Sequence, residues 1–455
     1  MAAIRRRVAV IGAGPAGAIA TNALAKEQAF DTIRVFERRH AAGGTHDPWI
    51  PSLRALLDGE ADRPVPVPPR LPYDTPEDEN IRSLNLRYSD TGAHIHLHSD
   101  LPPEIMRFSN EPISKVLSER TLAKFGKDAP FRHRGVMQAW VQGVFNNSGS
   151  EDLIEKASPG SNNGPWWQEC FDAVVVATGH YNVLAVPKIP GLAEFDEKFP
   201  GRIQHSRHYQ TAEAYRNKRV VVVGGFVSAF DTLHDVRAVS KLPVTSSLRR
   251  PSPIFGSAPF THPDILNRPT IAALDADSGR VIFADGTHAD DVDRIIFATG
   301  YEFSFPFLQV IGSQNGRIPS LYQHVFKAND PSLAFIAMVT GSFGLRIFEW
   351  QAVATPRAFA GRASLPSYAE MKVWEQERIA ERGDGVAFWV LMPDFERYFE
   401  DLRAIAGDPA PGTTGRVLLP YDNVWGEAFW RFVNCGGRMR QTWSLLCLSH
   451  QISPV

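Results

Sequence analysis

The sequence predicts an α/β protein of two parallel-sheet domains, one inserted within the other, with a helical C-terminal region. Three observations predict it. Short continuous apolar runs at Val8 to Ile11, Phe171 to Ala177, Arg219 to Val223 and Asp293 to Ala298 are bounded by glycine and alternate with helical patterns. Runs whose central residues are all apolar belong in a parallel sheet covered on both faces. Two of the runs pass through a glycine turn into a helix, at Gly12 and Gly224, and the other two end in one tripeptide, Ala177-Thr-Gly179 and Ala298-Thr-Gly300.

Length and composition agree with this class. The 455 residues leave room for two or three cores, and 44% hydrophobic with 22% charged residues is ordinary for a soluble globular chain. A net charge of −2 gives no footprint for nucleic acid or an acidic membrane. Cys170, Cys435 and Cys447 lack metal-site spacing and are too few for a disulfide framework, so a reducing compartment, the cytoplasm, is expected. Arg5-Arg6-Arg7 before an apolar run resembles the start of a secretory signal, but the run reads better as a strand, a glycine turn and a helix from Pro15. No stretch approaches the roughly 20 apolar residues that span a bilayer, and Trp443 to Leu446 reads as a packing segment.

The first strand–turn–helix unit is Val8-Ala-Val-Ile-Gly12-Ala-Gly14-Pro15-Ala16-Gly17. Gly12 permits the tight turn, Gly14 admits a pyrophosphate against the backbone, and Gly17 lets the helix pack close to the sheet. The helix N-terminus offers unpaired N–H groups to the phosphates. Glu37 ends the next strand, Ile33 to Glu37, about twenty residues on, where a carboxylate binds ribose hydroxyls. Such a unit is a Rossmann-like, three-layer β/β/α dinucleotide-binding domain, and on these residues alone its ligand is NAD or FAD.

In the second unit Gly224, Ser228 and Ala229 hold the first, fifth and sixth places of the same fingerprint, and Phe226 stands where the middle glycine belongs. A side chain there can hold a pyrophosphate away, so a strand–helix turn that has lost its ligand is the competing reading. The following strand, Pro243 to Leu248, leads into Arg249-Arg250 and carries no ribose-binding carboxylate. Arginine binds a 2′-phosphate that an acidic residue would repel, which favours NADPH over NADH. Two nucleotide folds joined by Ala-Thr-Gly strand ends suit a flavin reduced by a nicotinamide.

Elsewhere the prolines between Pro48 and Pro76 predict an extended surface loop. Ser367 and Glu370 form a candidate capping box opening the helical region. Phe388, Leu391, Phe395, Tyr398, Phe399 and Leu402 recur at helical spacing and read as core. His94, His96 and His98 alternate along one strand face, but no carboxylate or cysteine joins them at ligand spacing, so no metal site is expected.

With those residues in place the chain resembles the flavin-containing monooxygenases. The most specific match is Phe199-Pro-Gly201-Arg-Ile-Gln-His205-Ser-Arg-His-Tyr209, the family's FxGxxxHxxx(Y/F), just before the second glycine turn. Tyr209 at its end, where the related Baeyer–Villiger enzymes typically carry Trp, favours the heteroatom-oxidising branch. Phe36-Glu37-Arg38 with Gly43-Gly44, Leu101-Pro102 to Ser109, Tyr322-Gln-His324-Val-Phe and Glu349-Trp-Gln351 also match, in order.

The resemblance implies an NADPH domain (211–297) inserted in an FAD domain (1–210 and 298–365), then a helical region (366–455). It implies FAD held by Gly12, Gly14, Pro15, Ala16, Gly17, Glu37, Arg38, Gly44, Thr45, Thr178 and Gln351, and NADPH held by Gly224, Ser228, Ala229, Arg249 and Arg250. The activity implied is that of an N,N-dimethylaniline-type monooxygenase. NADPH reduces the flavin, oxygen forms a C4a-hydroperoxide, and a soft nitrogen or sulfur nucleophile of a small molecule takes one oxygen atom, with Ser99 and Asp100 beside the flavin. Baeyer–Villiger or NADPH oxidase activity and a non-catalytic homologue are the alternatives, and a homodimer is left open.

Three departures stand out. The family's Gly-Gly-x-Trp is Gly43-Gly44-Thr45-His46 with Trp49 three places late, its Thr-Asn is Ser99-Asp100, and the stretch between Phe145 and Phe171 is too short for the family's small strand meander.

Overall fold

The computed structural model of the chain describes residues 6–38, 42, 97–147, 149–156, 167–250, 256–308 and 315–431. β1 (Arg7–Ile11) feeds helix α1 (Pro15–Glu27), which leads to β2 (Thr32–Glu37). Helix α2 (Arg134–Asn147) precedes β3 (Ile154–Lys156), a short strand beside β2, and β4 (Ala173–Val176) pairs with β1 on its other side, all in parallel. Among the described residues between Phe145 and Phe171, β3 is the one strand.

From β4 the chain crosses through β5 (Val183–Leu184) and α3 (Leu192–Lys198) into a second sheet. That sheet holds β6 (Ile203–His205), β7 (Val220–Val223), β8 (Val244–Ser247) and β9 (Ile265–Arg268), with α4 (Val227–Arg237) between β7 and β8. An antiparallel ribbon follows, β10 (Ile271–Asp275), β11 (Arg280–Phe283) and β12 (His288–Ala289), before β13 (Arg294–Phe297) completes the parallel order β6-β13-β7-β8-β9. The chain returns through β14 (Tyr301–Glu302), which pairs with β5, to β15 (Leu321–Tyr322), β16 (Phe326–Lys327) and β17 (Leu333–Phe335). β17 joins β4 in parallel, so the first sheet reads β15-β16-β17-β4-β1-β2-β3. β6 pairs with β13. Ile203–His205 therefore lies in the second sheet, ahead of the boundary expected at residue 210.

The uninterrupted apolar runs follow from burial on both faces. Val220 and Val222 pack with Leu233 and Val236 of α4, while Val221 and Val223 pack with Phe195 of α3 and Phe283 of the ribbon. In the first sheet Val8 and Val10 join one large core with α1 and with α5 (Arg346–Phe359). α1 is rich in alanine, a strong helix former whose small side chain lets α5 lie close against it. Pro15 opens α1 where a missing N–H costs nothing, and Gln28 closes it at φ +50°.

The C-terminal region is helical, with α6 (Tyr368–Arg382) and α7 (Phe395–Ala406). The Ser367–Glu370 capping box is present, Glu370 accepting from the Ser367 N–H at 2.8 Å. All six residues of the predicted apolar stripe are buried. Only the last four share a helix, because Phe388 sits in a 3-10 turn and Pro393 intervenes before α7.

A buried ionic strap ties both ends of the chain together. Glu27 at the end of α1 is 1% exposed and accepts from Arg357 at 2.8 Å and Arg362 at 2.9 Å. Arg357, fully buried on α5, also donates to the carbonyl oxygens of Gly407 and Arg416. Arg416 pairs with Glu349 at 2.7 Å and donates to Asn22 on α1 at 2.7 Å. No helix among the described residues is long and apolar enough to cross a membrane.

Candidate functional site

Both glycine turns rest on the repeated tripeptide. Gly12 adopts φ +104°, and a Cβ there would lie 2.6 Å from the Ala177 carbonyl oxygen. Gly224 adopts φ +140°, with its Cβ position 2.3 Å from the Ala298 carbonyl oxygen. Glycine is thus required twice at each turn, by the dihedral and by the neighbouring strand. A Cβ on Gly17 would meet the Gly12 carbonyl oxygen at 1.9 Å, which lets α1 sit against its own turn. In the second unit Ala229 carries a methyl group 3.3 Å from the Gly224 Cβ position, so α4 tolerates one carbon more.

At Gly14 nothing lies within 4 Å of a Cβ position. α1 begins there with no side-chain cap and no acidic residue in its first turn, so its leading N–H groups face open room. Those residues fit a dinucleotide pyrophosphate. Ala16 is buried behind the turn, and Glu37 bends back so that its carboxylate accepts the Ala13 N–H at 2.7 Å. Arg38 is exposed just beyond, and Thr178 is half-buried above Gly12. Gly44, Thr45, His46 and Trp49 lie outside the described residues, as do the proline-rich loop, His94, His96 and Trp443 to Leu446. His98 packs between Phe125 and His133, its Nε2 3.2 Å from the Thr121 hydroxyl.

The second turn shares the uncapped start: α4 follows Phe226 with no side-chain cap and no acidic residue in its first turn. The Phe226 side chain, feared as an obstruction, is 47% exposed. Ser228 is exposed in the first helical turn. Arg249 and Arg250 are exposed past β8, and the Arg250 carbonyl oxygen lies 3.3 Å from the Gly225 Cβ position, so the basic pair backs onto the glycine turn.

Three residues of the matched fingerprint have structural tasks. His205 donates from Nε2 to the Gly300 carbonyl oxygen at 3.1 Å and accepts the Arg207 N–H at Nδ1, also at 3.1 Å, which fixes its neutral tautomer. Burial, with the charges of His208 and Arg207 beside it, pushes its pKa down to about 3. Gly201 turns at φ +76°, and the Tyr209 hydroxyl donates to Asp235 on α4 at 3.0 Å. The fingerprint thus pins the second sheet to the end of the second Ala-Thr-Gly.

Ser99 serves its own loop. Its hydroxyl donates to the Leu101 carbonyl oxygen at 3.1 Å and accepts the Arg132 N–H at 3.0 Å. Asp100 is exposed beside it. Gln351 is fully buried, accepting the Ala337 N–H at 2.9 Å and donating to the Tyr398 hydroxyl at 3.0 Å. Ala337 is itself a buried non-glycine residue held at φ +73° just past β17. Glu349 binds the Ser109 N–H at 2.6 Å and pairs with Arg416.

Sequence reasoning missed the aromatic residues beyond both tripeptides. His180 is pushed down to about 4 by burial and bonds to the Ala337 backbone. The Tyr181 ring lies tilted against His180, centroids 4.2 Å apart, and meets Tyr301, which follows the second tripeptide, at 5.2 Å. An aromatic residue within two places of each Ala-Thr-Gly was the available signal.

Comparison with known proteins decides the family. The flavin-binding monooxygenase-like profile matches residues 143–254 and 264–410, more than half of the chain. The chain belongs to this family. It is similar to flavin-containing monooxygenase FMO GS-OX-like 9 of Arabidopsis thaliana, at 30% identity over 80% of this chain and 78% of that protein. It is also similar to flavin-containing monooxygenase ustF2 of Aspergillus flavus, at 26% identity over 87% and 90%. Among solved structures, S-allyl-L-cysteine S-oxygenase from Allium sativum shares the fold at TM-score 0.72, with 22% identity and coverage of 97% and 95%. The expected two-domain α/β class, monooxygenase chemistry and the cofactors FAD and NADPH are those of this family. A flavin monooxygenase acts on a small molecule and on molecular oxygen.

Proposed function

We propose that the chain is an FAD-dependent, NADPH-consuming monooxygenase that transfers one oxygen atom to a soft nitrogen or sulfur nucleophile of a small organic substrate. The observation that carries this reading is the doubled glycine turn, each copy pressed on an Ala-Thr-Gly strand end, with the ends joined through β5, β14 and the Tyr181–Tyr301 contact. Each turn would hold the pyrophosphate of one nucleotide. FAD, when bound, supplies hydride acceptance and oxygen activation. The protein binds, orients and excludes water.

In this reading Gly12, Gly14, Pro15, Ala16 and Gly17 form the FAD pyrophosphate turn, with Glu37 and Arg38 toward the ribose, Gly44 and Thr45 continuing the site, and Thr178 above the turn. Gln351 acts behind Ala337. Gly224, Ser228 and Ala229 receive the NADPH pyrophosphate, and Arg249 with Arg250 its 2′-phosphate. Ser99 shapes the loop that presents Asp100, and an ionised Asp100 only accepts hydrogen bonds. Tyr209 in place of Trp supports heteroatom over carbonyl oxidation, and the cysteine usage supports a cytoplasmic site of action.

The test is colour and stoichiometry. The purified protein is expected to be yellow, to bleach with NADPH without air, and to consume NADPH with amines or sulfides in a substrate screen. Turnover of ketones alone moves the reading to a Baeyer–Villiger enzyme, peroxide with no oxygenated product makes it an oxidase, and colourless protein overturns it.

A further inference from the structure

The two glycine turns run alike in backbone and differ most in one side chain. Gly14 and Phe226 each stand two residues past a positive-φ glycine, Gly12 or Gly224, and each is the N-cap of its helix, α1 or α4. Both are extended, Gly14 at φ −77° and ψ −170° and Phe226 at φ −118° and ψ −171°. The backbone fixes the direction of a Cβ, so the Phe226 side chain enters, at the second turn, the space that a Cβ on Gly14 would enter at the first. At Gly14 that space holds no protein atom within 4 Å, and it is the room that fits a pyrophosphate. At the second turn a phenyl ring stands in the matching place.

Packing does not account for the ring. Val227 and Leu248 pack against the core of the second sheet, whereas Phe226, beside Val227, is 47% exposed. Nor does it cap α4, which begins with no side-chain cap, because a phenyl group cannot accept from the leading N–H groups as a serine or aspartate would. The basic pair lies apart from it, exposed past β8, with the Arg250 carbonyl oxygen against the neighbouring Gly225.

Resting on the proposed function, we infer that Phe226 limits the affinity of the second turn for dinucleotides. Its ring holds the pyrophosphate off the N–H groups of α4, so that Arg249 and Arg250 at the 2′-phosphate carry the binding and NADH, which lacks that phosphate, is held weakest. A pyrophosphate that reaches the helix start gains hydrogen bonds from N–H groups to a charged acceptor. Removing the ring should return about one of them.

Flavin-loaded wild type, Phe226→Gly and Phe226→Ala are titrated by calorimetry with NADP+, NAD+ and adenosine 2′-monophosphate, which has the 2′-phosphate but no pyrophosphate. NADP+ and NAD+ should each bind about tenfold tighter to Phe226→Gly, corresponding to about 1.4 kcal/mol, with a smaller gain in Phe226→Ala. Adenosine 2′-monophosphate should stay within about twofold of the wild type in both variants. Flavin absorbance and the nucleotide-free thermal midpoint should not move, because a half-exposed ring leaves no core cavity behind. Weaker binding of NADP+ and NAD+ in Phe226→Gly would make the ring a stacking surface for the nucleotide and overturns the inference, as does unchanged affinity in both variants. An equal gain for adenosine 2′-monophosphate also overturns it, since that ligand has no pyrophosphate to admit. If Phe226→Gly tightens NADP+ but NADPH bleaches the flavin of neither protein, the proposed function fails and the affinity limit stands. If NADPH bleaches the wild type while no affinity changes, the proposed function stands and the limit falls.

Discussion

Mild acid should loosen the junction between the two sheets, and the buried histidines set the size of the effect. Burial pushes His205 down to about 3, and His180 and His208 to about 4, from the ordinary 6.5. Between pH 6.5 and those values the unfolded chain binds protons that the folded chain refuses, so stability rises with pH across the window and is fully present above it. At pH 5 each of the three costs about 2 kcal/mol, so together they remove about 6 kcal/mol from a total that is typically about 5–15 kcal/mol. His324, fully buried and held well below 6.5 by burial, acts in the same direction. The geometry explains the resistance at His205: protonation would turn Nδ1 into a donor facing the Arg207 N–H it now accepts. The assay is a urea midpoint series from pH 7.5 to 5 followed by tryptophan fluorescence, on the wild type and on His205→Asn. The wild-type midpoint should fall steeply below pH 6.5, and the variant, less stable at pH 7.5, should show a shallower fall. Equal slopes in the two proteins, or a flat wild-type profile, would refute the reasoning.

Gly14→Val should leave a folded but colourless protein, because no protein atom lies within 4 Å of a Cβ there and the added side chain would fill the proposed pyrophosphate site, whereas Gly17→Val should lose the fold, since its Cβ would meet the Gly12 oxygen at 1.9 Å; circular dichroism and flavin absorbance separate the two. Arg249→Ala should weaken NADPH binding about tenfold to a hundredfold, the worth of one hydrogen bond to a charged group, and leave NADH kinetics nearly untouched. Glu27→Leu should cost about 3–5 kcal/mol by stranding the fully buried Arg357, and Glu27→Leu with Arg357→Met should recover most of it, as read from urea midpoints.

Much of this architecture was legible in the residues because each signal was local. The runs at Val8, Phe171, Arg219 and Asp293 became β1, β4, β7 and β13, and the capping box formed as read. The glycine turns were legible because a positive φ leaves few alternatives. Partnership across long separations was not legible. Nothing in Phe199 to Tyr209 announces that His205 would reach Gly300, nor in Glu349-Trp-Gln351 that Gln351 would hold Ala337 in a left-handed conformation 14 residues away. Tyr181 escaped notice for a different reason, since an isolated tyrosine has no periodicity and gains meaning only when Tyr301 stands beside it.

The second sheet is made from one continuous stretch, β6 to β13, whereas the first needs β1 to β4 and then β17 more than 150 residues later. The carboxylate of Glu27 meets Arg357 and Arg362 only after those residues are synthesised, and Arg357 in turn needs the carbonyl groups of Gly407 and Arg416. On the ribosome, therefore, the inserted unit can close while the N-terminal strand and helix still wait, with a charge that has nowhere buried to go. The sheet that carries the first glycine turn is thus the earliest begun and the last completed, because β17 and α5 follow the whole inserted unit.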